Sequence, residues 1–206
     1  GLEHCEGKLA YHCVDDAIFL PNAIDKAIDQ YNLLCGKKDV INMRYREGAD
    51  YSGATLPQGF WMAWSHGELR LHGIPQHYKI SLHHLMDLDY FKELGGWDCR
   101  FEYINHSLHD LMFRVQADGG TLHDSTKDAT TCNHYVNKTV DHGPIYDAQT
   151  FFDKPQFDEM YAEANAAQQR IHIDLDNWKG ADEVWNRRFQ PKDDGTLPAS
   201  YKELGY

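Results

Sequence analysis

The side chains best suited to proton transfer near neutral pH are the thirteen histidines of this 206-residue chain. A zinc site needs three or four ligands at spacings set by the local structure, and only His106-X-X-His109 has a familiar short separation. The sequence contains no His-Glu-X-X-His, no Cys-X-X-Cys and no calcium-binding loop. We therefore predict no metal and no cofactor, and we expect most of these histidines to be solvated loop residues.

Hydrolytic chemistry has less support from the residue pattern. There is no Gly-X-Ser-X-Gly turn, and Ser65 beside His66 is only a neighbour pair. A sugar-cleaving site would need two acids and aromatic rings facing one cleft, and the candidates are Glu68, Asp87, Asp89 and Glu102, with Trp61, Trp64 and Trp97. Because aromatic residues of a sheet are more often buried in the core, a metal-dependent or sugar-cleaving secreted hydrolase is an alternative, not the leading hypothesis.

Five cysteines and two Asn-X-Ser/Thr sequons, at Asn105 and Asn137, favour an extracellular glycoprotein with one or two disulfide bonds. The alternative is a cytosolic protein with buried thiols. No run of about 18 apolar residues is present, and no charged-then-apolar leader precedes Gly1. We therefore expect a mature secreted chain with no membrane span.

The charge of the chain argues against an anionic partner. Thirty-two acidic and 20 basic residues give a net charge of −12, which disfavours nucleic acid and anionic membranes as non-specific partners. Protonating all thirteen histidines would change this charge from −12 to +1. The surface field therefore depends strongly on pH between about 5 and 7.

The elements that must position any site begin with one amphipathic helix. From Pro21 to Cys35 the apolar residues recur at the spacing of one helical face, and Gly36 can end the helix in a left-handed conformation. Short strands are predicted at Lys8–His12, Val40–Tyr45, Phe60–Trp64, Glu68–His72, Tyr78–Leu82, Arg100–Ile104 and Leu111–Val115. The last two alternate cleanly and predict a hairpin. Residues 83–94 predict a short helix or an ordered loop, and residues 119–132 a turn and a polar run.

These elements predict an α+β fold. An antiparallel sheet of five to six strands would pack on one N-terminal helix, within a core domain of residues 1–132. Residues 133–206 form an extension with a second amphipathic helix at about 155–178 and an irregular tail.

The order of these features resembles a known family. With Tyr11-His12-Cys13, a helix soon after it, and an Arg-led strand pair followed by a cysteine, residues 1–132 resemble the small secreted fungal ribonucleases of the T1 and F1 type. They also resemble the ribonuclease-like effectors of plant-pathogenic fungi. The resemblance implies a disulfide bond between Cys13 and Cys132. Cys35 and Cys99 are then the next pair, and Cys5 is left unmatched, or joined to Cys13 or to a second chain.

The family cleaves RNA with a glutamate base, a histidine acid and an arginine that stabilises the transition state. The resemblance places Glu68 at the base and Arg100 at the arginine. The position of the acid falls near Val115 and Gln116, neither of which can deliver a proton at neutral pH. If the chain were an active endoribonuclease, the acid would have to be displaced to His106, His109 or His123.

We therefore expect a secreted ribonuclease-like protein that acts by binding, as a virulence effector would act on a host protein, and not by catalysis. The enzyme alternative is an active secreted endoribonuclease that uses Glu68 and Arg100. RNA is a disfavoured partner on charge, and the oligomeric state is open.

Overall fold

The computed structural model describes residues 2–15, 17–49, 55–62, 69–70, 77–132, 148–163 and 165–174. In this part of the chain the strands are β1 Leu9–His12, β2 Ile18–Phe19, β3 Val40–Ala49, β4 Thr55–Met62, β5 Leu69–Arg70, β6 His77–Tyr78, β7 His84–Asp87 and β8 Leu122–Cys132. The helices are α1 Ala23–Leu34, α2 Leu88–Glu93, α3 Ile104–Ala117, α4 Lys154–Met160 and α5 Ala166–Gln169. A 3-10 turn, Leu2–His4, opens the chain, and a π-helical turn, Gln149–Asp153, precedes α4.

One six-stranded sheet organises the fold. Five of its strands follow the order β1-β7-β3-β8-β2, and the sixth, β4, pairs with β3 outside this order. The long central strand β3 pairs with β7 along its first half and with β4 along its second half. The expected α+β class is confirmed, but the expectation of a purely antiparallel sheet is wrong, because β3 and β8 run parallel. A parallel pair needs a long crossover between its strands, and the chain supplies one through β7, α2 and α3.

Helix α1 covers one face of this sheet, as the periodicity predicted. Its buried residues Ala23, Ala27 and Tyr31 pack against side chains of the sheet that include Ile41 and Met43. The end of the helix differs from the prediction. Cys35 takes an extended conformation there, and Gly36 is not among the residues with positive φ.

Helices α2 and α3 cover the opposite face. The sheet contributes Val40, Met86 and Leu122 to this core, while the helices contribute Leu88, Phe91, Leu111, Met112 and Val115. Tyr90 and Leu94 are also completely buried there. The sheet is therefore the middle layer of the fold, and it separates the α1 side from the α2–α3 side.

The predicted hairpin of residues 100–104 and 111–115 is wrong, because this segment is a turn followed by α3. Leu108, Leu111, Met112 and Val115 have the helical spacing and are all buried. The polar run expected at residues 119–132 is instead the strand β8. Much of the support for the ribonuclease resemblance lay in that strand pair.

The second amphipathic helix is shorter than predicted. It ends at Met160, and α5 follows after a break, while residues 175–206 lie outside the described part. Phe157 and Tyr161 pack with Phe101 and Phe113 from around α3. Residues 148–174 therefore share the apolar core of the preceding domain. No helix in the described ranges is long and apolar enough to cross a membrane.

Candidate functional site

Arg100, the residue matched to the catalytic arginine, is held by a neighbouring carboxylate. It lies in the turn between α2 and α3, not at the start of a strand as predicted. Its Nε donates to Asp98 Oδ1 at 3.0 Å and its Nη2 to Asp98 Oδ2 at 2.6 Å. Burial opposes ionisation of Asp98, but the hydrogen bonds and charges of Arg100 and Arg170 keep its pKa below the ordinary value. Glu68, the matched base, lies outside the described residues.

Asp98 belongs to a larger buried ion-pair network that also contains Asp110, Arg114, Tyr161 and Arg170. Arg114 Nε donates to Asp110 Oδ2 at 2.8 Å, and the Tyr161 hydroxyl donates to Asp110 Oδ1 at 2.6 Å. Arg170 Nη2 lies within hydrogen-bond distance of both Asp98 and Asp110. The network ties the α2–α3 turn, α3 and the C-terminal segment together, so its charges are used for structure.

His106 and His109, both on α3, pack in an aromatic cluster. Their ring centroids lie 5.8 Å apart, and both rings contact Phe157 of α4. Burial lowers the pKa of His106 to about 4 and that of His109 to about 4. Both side chains are therefore neutral at pH 7 and are poor proton donors there.

His123 lies on the other side of the sheet. It occupies β8 opposite Ile41, whose side chain packs in the α1 core. Its Nε2 lies 3.8 Å from Asp39 Oδ2. The sheet thus stands between His123 and the α3 histidines, and the structure does not bring the three displaced candidates together.

The cysteines also differ from expectation. No disulfide bond joins Cys13, Cys35 or Cys99 to another cysteine whose side chain the structure describes. Cys35 packs in the α1 core, while Cys99 lies in the α2–α3 turn beyond the sheet, so the predicted Cys35–Cys99 pair is not formed. Burial, with the charge of Asp39, raises the pKa of Cys35 to about 12. The side chain of Cys132 is outside the described part, and its pairing with Cys13 stays a prediction.

Four polar residues that the sequence did not single out form a row across the sheet. His12 pairs in register with His84, His84 with Asn42, and Asn42 with Asp124, on the neighbouring strands β1, β7, β3 and β8. Residues that are opposite each other in register share a face, here the face covered by α2 and α3. We call these four residues the polar row.

The row changes in character from one end to the other. The His12 ring stacks on the His84 ring, with centroids 5.0 Å apart and an interplanar angle of 27°. Asn42 donates from Nδ2 to Asp124 Oδ1 at 3.0 Å and accepts from the Ser81 hydroxyl at 2.7 Å. One end is therefore a pair of imidazoles, and the other is an amide that holds a carboxylate.

His84 is the most unusual member of the row. Its side chain is completely buried, and neither ring nitrogen has a hydrogen-bond partner within the described part of the structure. Burial, together with the proximity of His12 and His83, holds the pKa of His84 well below its ordinary value. His12 Nδ1 lies 2.9 Å from the Leu82 carbonyl oxygen, which places the proton on Nδ1.

The row is better suited to structure than to catalysis. His84 and Asn42, at its centre, are completely buried, whereas His12 is half-buried and Asp124 is exposed. Three strand spacings separate His12 from Asp124, a distance of about 14 Å. These two residues cannot act on one reacting atom. Among the described residues, no group of three or more His, Cys, Asp or Glu could hold a metal ion.

Three large apolar side chains are exposed at or near one edge of the sheet. Ile18 and Phe19 of β2 are 38% and 41% exposed, and Ile24, at the start of α1, is 50% exposed. Strand β2 pairs with β8 on one side and is the last strand in the sheet order. We call Ile18, Phe19 and Ile24 the apolar edge. Sequence periodicity places Ile24 on the buried face of α1, and so did not reveal this surface.

No protein-family model matches this chain, and a search of the curated proteins found no match.

Proposed function

We propose that this protein acts by binding another protein at the apolar edge, and that it does not cleave RNA. The observation that carries the proposal is the exposure of three large apolar side chains beside an edge strand, Ile18, Phe19 and Ile24. Secretion and an effector role, which the family resemblance implies, are part of the same proposal.

An edge strand presents backbone N–H and C=O groups that a partner strand can pair with. Beyond β2, none of the strands in the described ranges supplies that pairing. Strand addition would combine backbone hydrogen bonds with apolar contacts to Phe19 and its neighbours. The net charge of −12 favours a partner segment that carries positive charge. The proposed partner is therefore a basic, strand-forming segment of another protein.

The described candidates for ribonuclease chemistry are used elsewhere in the structure. Arg100 is held by Asp98, and His106 and His109 are neutral at pH 7 inside an aromatic cluster. An RNA-cleaving site needs a proton acceptor, a proton donor and a charge that stabilises the phosphorane. These contacts support a binding role, and the net charge further disfavours RNA.

Binding is tested with three sets of fluorescent twelve-residue peptides that share an alternating apolar pattern and differ only in net charge: basic, neutral or acidic. Anisotropy titrations should show the tightest binding for the basic set. Phe19→Asp should weaken that binding at least about tenfold, because it places a charge among the apolar contacts. Leu33→Asp is the matched control, since Leu33 is 80% exposed on another side of α1.

The proposal fails if no peptide set binds, or if the two variants weaken binding equally. Oligomeric state is measured in parallel by light scattering, because a second copy of the chain could occupy the same edge. A concentration-dependent dimer that Phe19→Asp dissociates would overturn the assignment to a different protein.

Ribonuclease activity is tested with a structured RNA substrate between pH 5 and pH 8. We expect no cleavage above the buffer control. Cleavage that is lost in both Glu68→Ala and Arg100→Ala would refute the binding proposal and support the endoribonuclease alternative.

A further inference from the structure

The stack of His12 on His84 is the contact from which a second property can be inferred. Strand β1, residues Leu9–His12, lies at the opposite end of the sheet order from β2 and is paired in the described structure with β7 alone. It is four residues long and only half-buried. A short edge strand has few hydrogen bonds to hold it and opens locally more easily than the sheet centre.

We propose that β1 is an acid-released latch: protonation of His12 and His84 separates this strand from β7 while the rest of the sheet stays folded. The inference concerns the free protein and does not depend on the proposed binding function. It assigns a role to a completely buried histidine whose two ring nitrogens lack partners in the described structure.

In the described part of the chain, no carboxylate raises the pKa of either ring of the stack. From β1 and the residue after it, the titratable neighbours are Tyr11 and Cys13. From the segment before β7 it is His83, whose Nδ1 lies 3.2 Å from the Thr130 hydroxyl. From β3 the neighbouring side chain is the neutral Asn42.

The remaining neighbours come from β8 and the helical cover. On β8 the carboxylate of Asp124 accepts from Asn42, and it also lies 3.7 Å from Lys79 Nζ. From α2 and the turn after it, Phe91 and Trp97 contact the stack through their rings. Two protonated rings 5.0 Å apart would therefore repel each other in apolar surroundings.

The direction of the pH effect follows from the lowered pKa values. Burial lowers the pKa of His12, against the opposing effect of its hydrogen bond to Leu82, and holds that of His84 well below its ordinary value. A histidine in an opened strand titrates near 6.5. The latched state is therefore fully favoured above about pH 6.5, and it loses stability as the pH falls below that value, because the open state binds more protons.

Release would expose two surfaces. It would free the hydrogen-bonding edge of β7, and it would withdraw Tyr11, whose ring lies 5.3 Å from that of Phe19, from the apolar edge. A fall in pH would therefore change which groups are exposed at both edges of the sheet.

Hydrogen exchange followed by mass spectrometry tests the latch on the whole protein between pH 7 and pH 5. Rates are corrected for the intrinsic pH dependence of exchange. Protection of the peptide covering β1 should fall at least about tenfold, because each histidine that protonates only in the open state contributes up to one power of ten per pH unit. Protection of α1, Ala23–Leu34, should stay well above that of β1 throughout this range, because α1 exchanges only when the sheet itself unfolds.

Two variants and one control give the measurement its specificity. His84→Phe keeps a ring of similar size without a titrating group, and should remove most of the pH dependence of β1. His12→Phe should do the same, and serves if His84→Phe does not fold. His172→Phe is the control at an exposed histidine and should behave like the parent. The inference is overturned if β1 is as strongly protected as α1 at pH 5, if β1 does not respond to pH, or if both ring variants respond like the parent.

Discussion

The buried guanidinium of Arg114 provides the strongest test of how this fold is held together. Its side chain is fully buried and donates three hydrogen bonds: to Asp110 Oδ2 at 2.8 Å, to the Leu94 carbonyl at 2.7 Å and to the Gly96 carbonyl at 2.5 Å. Replacing it with methionine keeps most of the apolar stem and removes all three donors. Asp110 would still accept from Tyr161 and Arg170.

Removing one partner of a buried ion pair typically lowers stability by about 3–5 kcal/mol, because the remaining charge is left in a poorly solvated place. We expect Arg114→Met to lower the free energy of unfolding by about 3 kcal/mol, at the low end of this range, since Arg170 offers Asp110 a second cation at 3.3 Å. Two carbonyl groups also lose a donor. A loss of this size is a large part of the stability of an ordinary domain, about 5–15 kcal/mol.

Arg100→Met is the matched control. Arg100 also pairs with a buried carboxylate that keeps Arg170 as a second partner, but its own side chain is 42% exposed. Its loss should therefore lower the free energy of unfolding by about 1 kcal/mol or less. Both variants are compared with the parent by equilibrium urea unfolding, followed by far-ultraviolet circular dichroism.

The reasoning would be refuted if Arg114→Met were no less stable than Arg100→Met. A second experiment replaces Asp110 with leucine in the protein that already carries Arg114→Met. If the uncompensated carboxylate is the main source of the loss, the double variant should be less destabilised than the sum of the single changes. Strict additivity would show instead that the carbonyl contacts dominate.

Three further outcomes follow from other parts of the structure. Gly95→Ala should lower the free energy of unfolding by more than about 2 kcal/mol, because φ is +85° and a Cβ would lie 2.1 Å from a backbone oxygen. Gly119→Ala, at φ +86° with open space around it, should lower it by about 1 kcal/mol, and urea unfolding compares the two variants. Asp153→Ala should lower the free energy of unfolding by about 1–2 kcal/mol, because the Asp153 carboxylate accepts from two backbone N–H groups at the start of α3. Asp158→Ala, at a more exposed carboxylate of the same segment, should change it by less than about 1 kcal/mol. Burial lowers the pKa of His106 to about 4, so the parent should lose stability as the pH falls from 6.5 towards 4. His106→Phe should reduce that loss by about 2 kcal/mol at pH 5, measured by unfolding titrations. An unchanged pH profile in this variant would contradict the assignment.

The sequence was informative where the spacing of apolar residues fitted a helix and not a strand, or a strand and not a helix. Helix α1 was predicted from apolar residues at three- and four-residue spacing, and the structure buries Ala27 and Tyr31 of that face but leaves Ile24 exposed. The start of β3 at Val40 was likewise predicted from a change in period. Both elements have flanking turns that limit their length, so local information was enough.

The segment from Arg100 to Val115 shows where local information failed. Leu111, Phe113 and Val115 alternate as a strand would, but the longer series Leu108, Leu111, Met112 and Val115 fits a helix. A five-residue window cannot distinguish these periods. The buried Arg114 was uninformative as well, because its burial depends on partners far away in the sequence, among them Leu94 and Gly96. The misassigned strand pair then supplied part of the family resemblance.

The polar row was missed for a different reason. His12, Asn42, His84 and Asp124 become neighbours only through the registers of three strand pairs, and nothing local fixes a register. The parallel pairing of β3 with β8 was also unforeseen, because β8 is polar enough to resemble a loop. Histidines spread along the sequence thus gave no signal that two of them would stack inside the sheet.

The C-terminal segment shows how buried charge can join parts of a chain that composition separates. The predicted boundary at residue 132 stays a prediction, but Tyr161 and Arg170 both contact carboxylates of the preceding region. Without them, Asp98 and Asp110 would keep one arginine each, and Phe113 would lose its ring contact with Tyr161. Because each buried carboxylate would lose one of its partners, residues 148–174 add to the stability of the region up to residue 132. We infer that these residues fold with the sheet and are not an independent appendage.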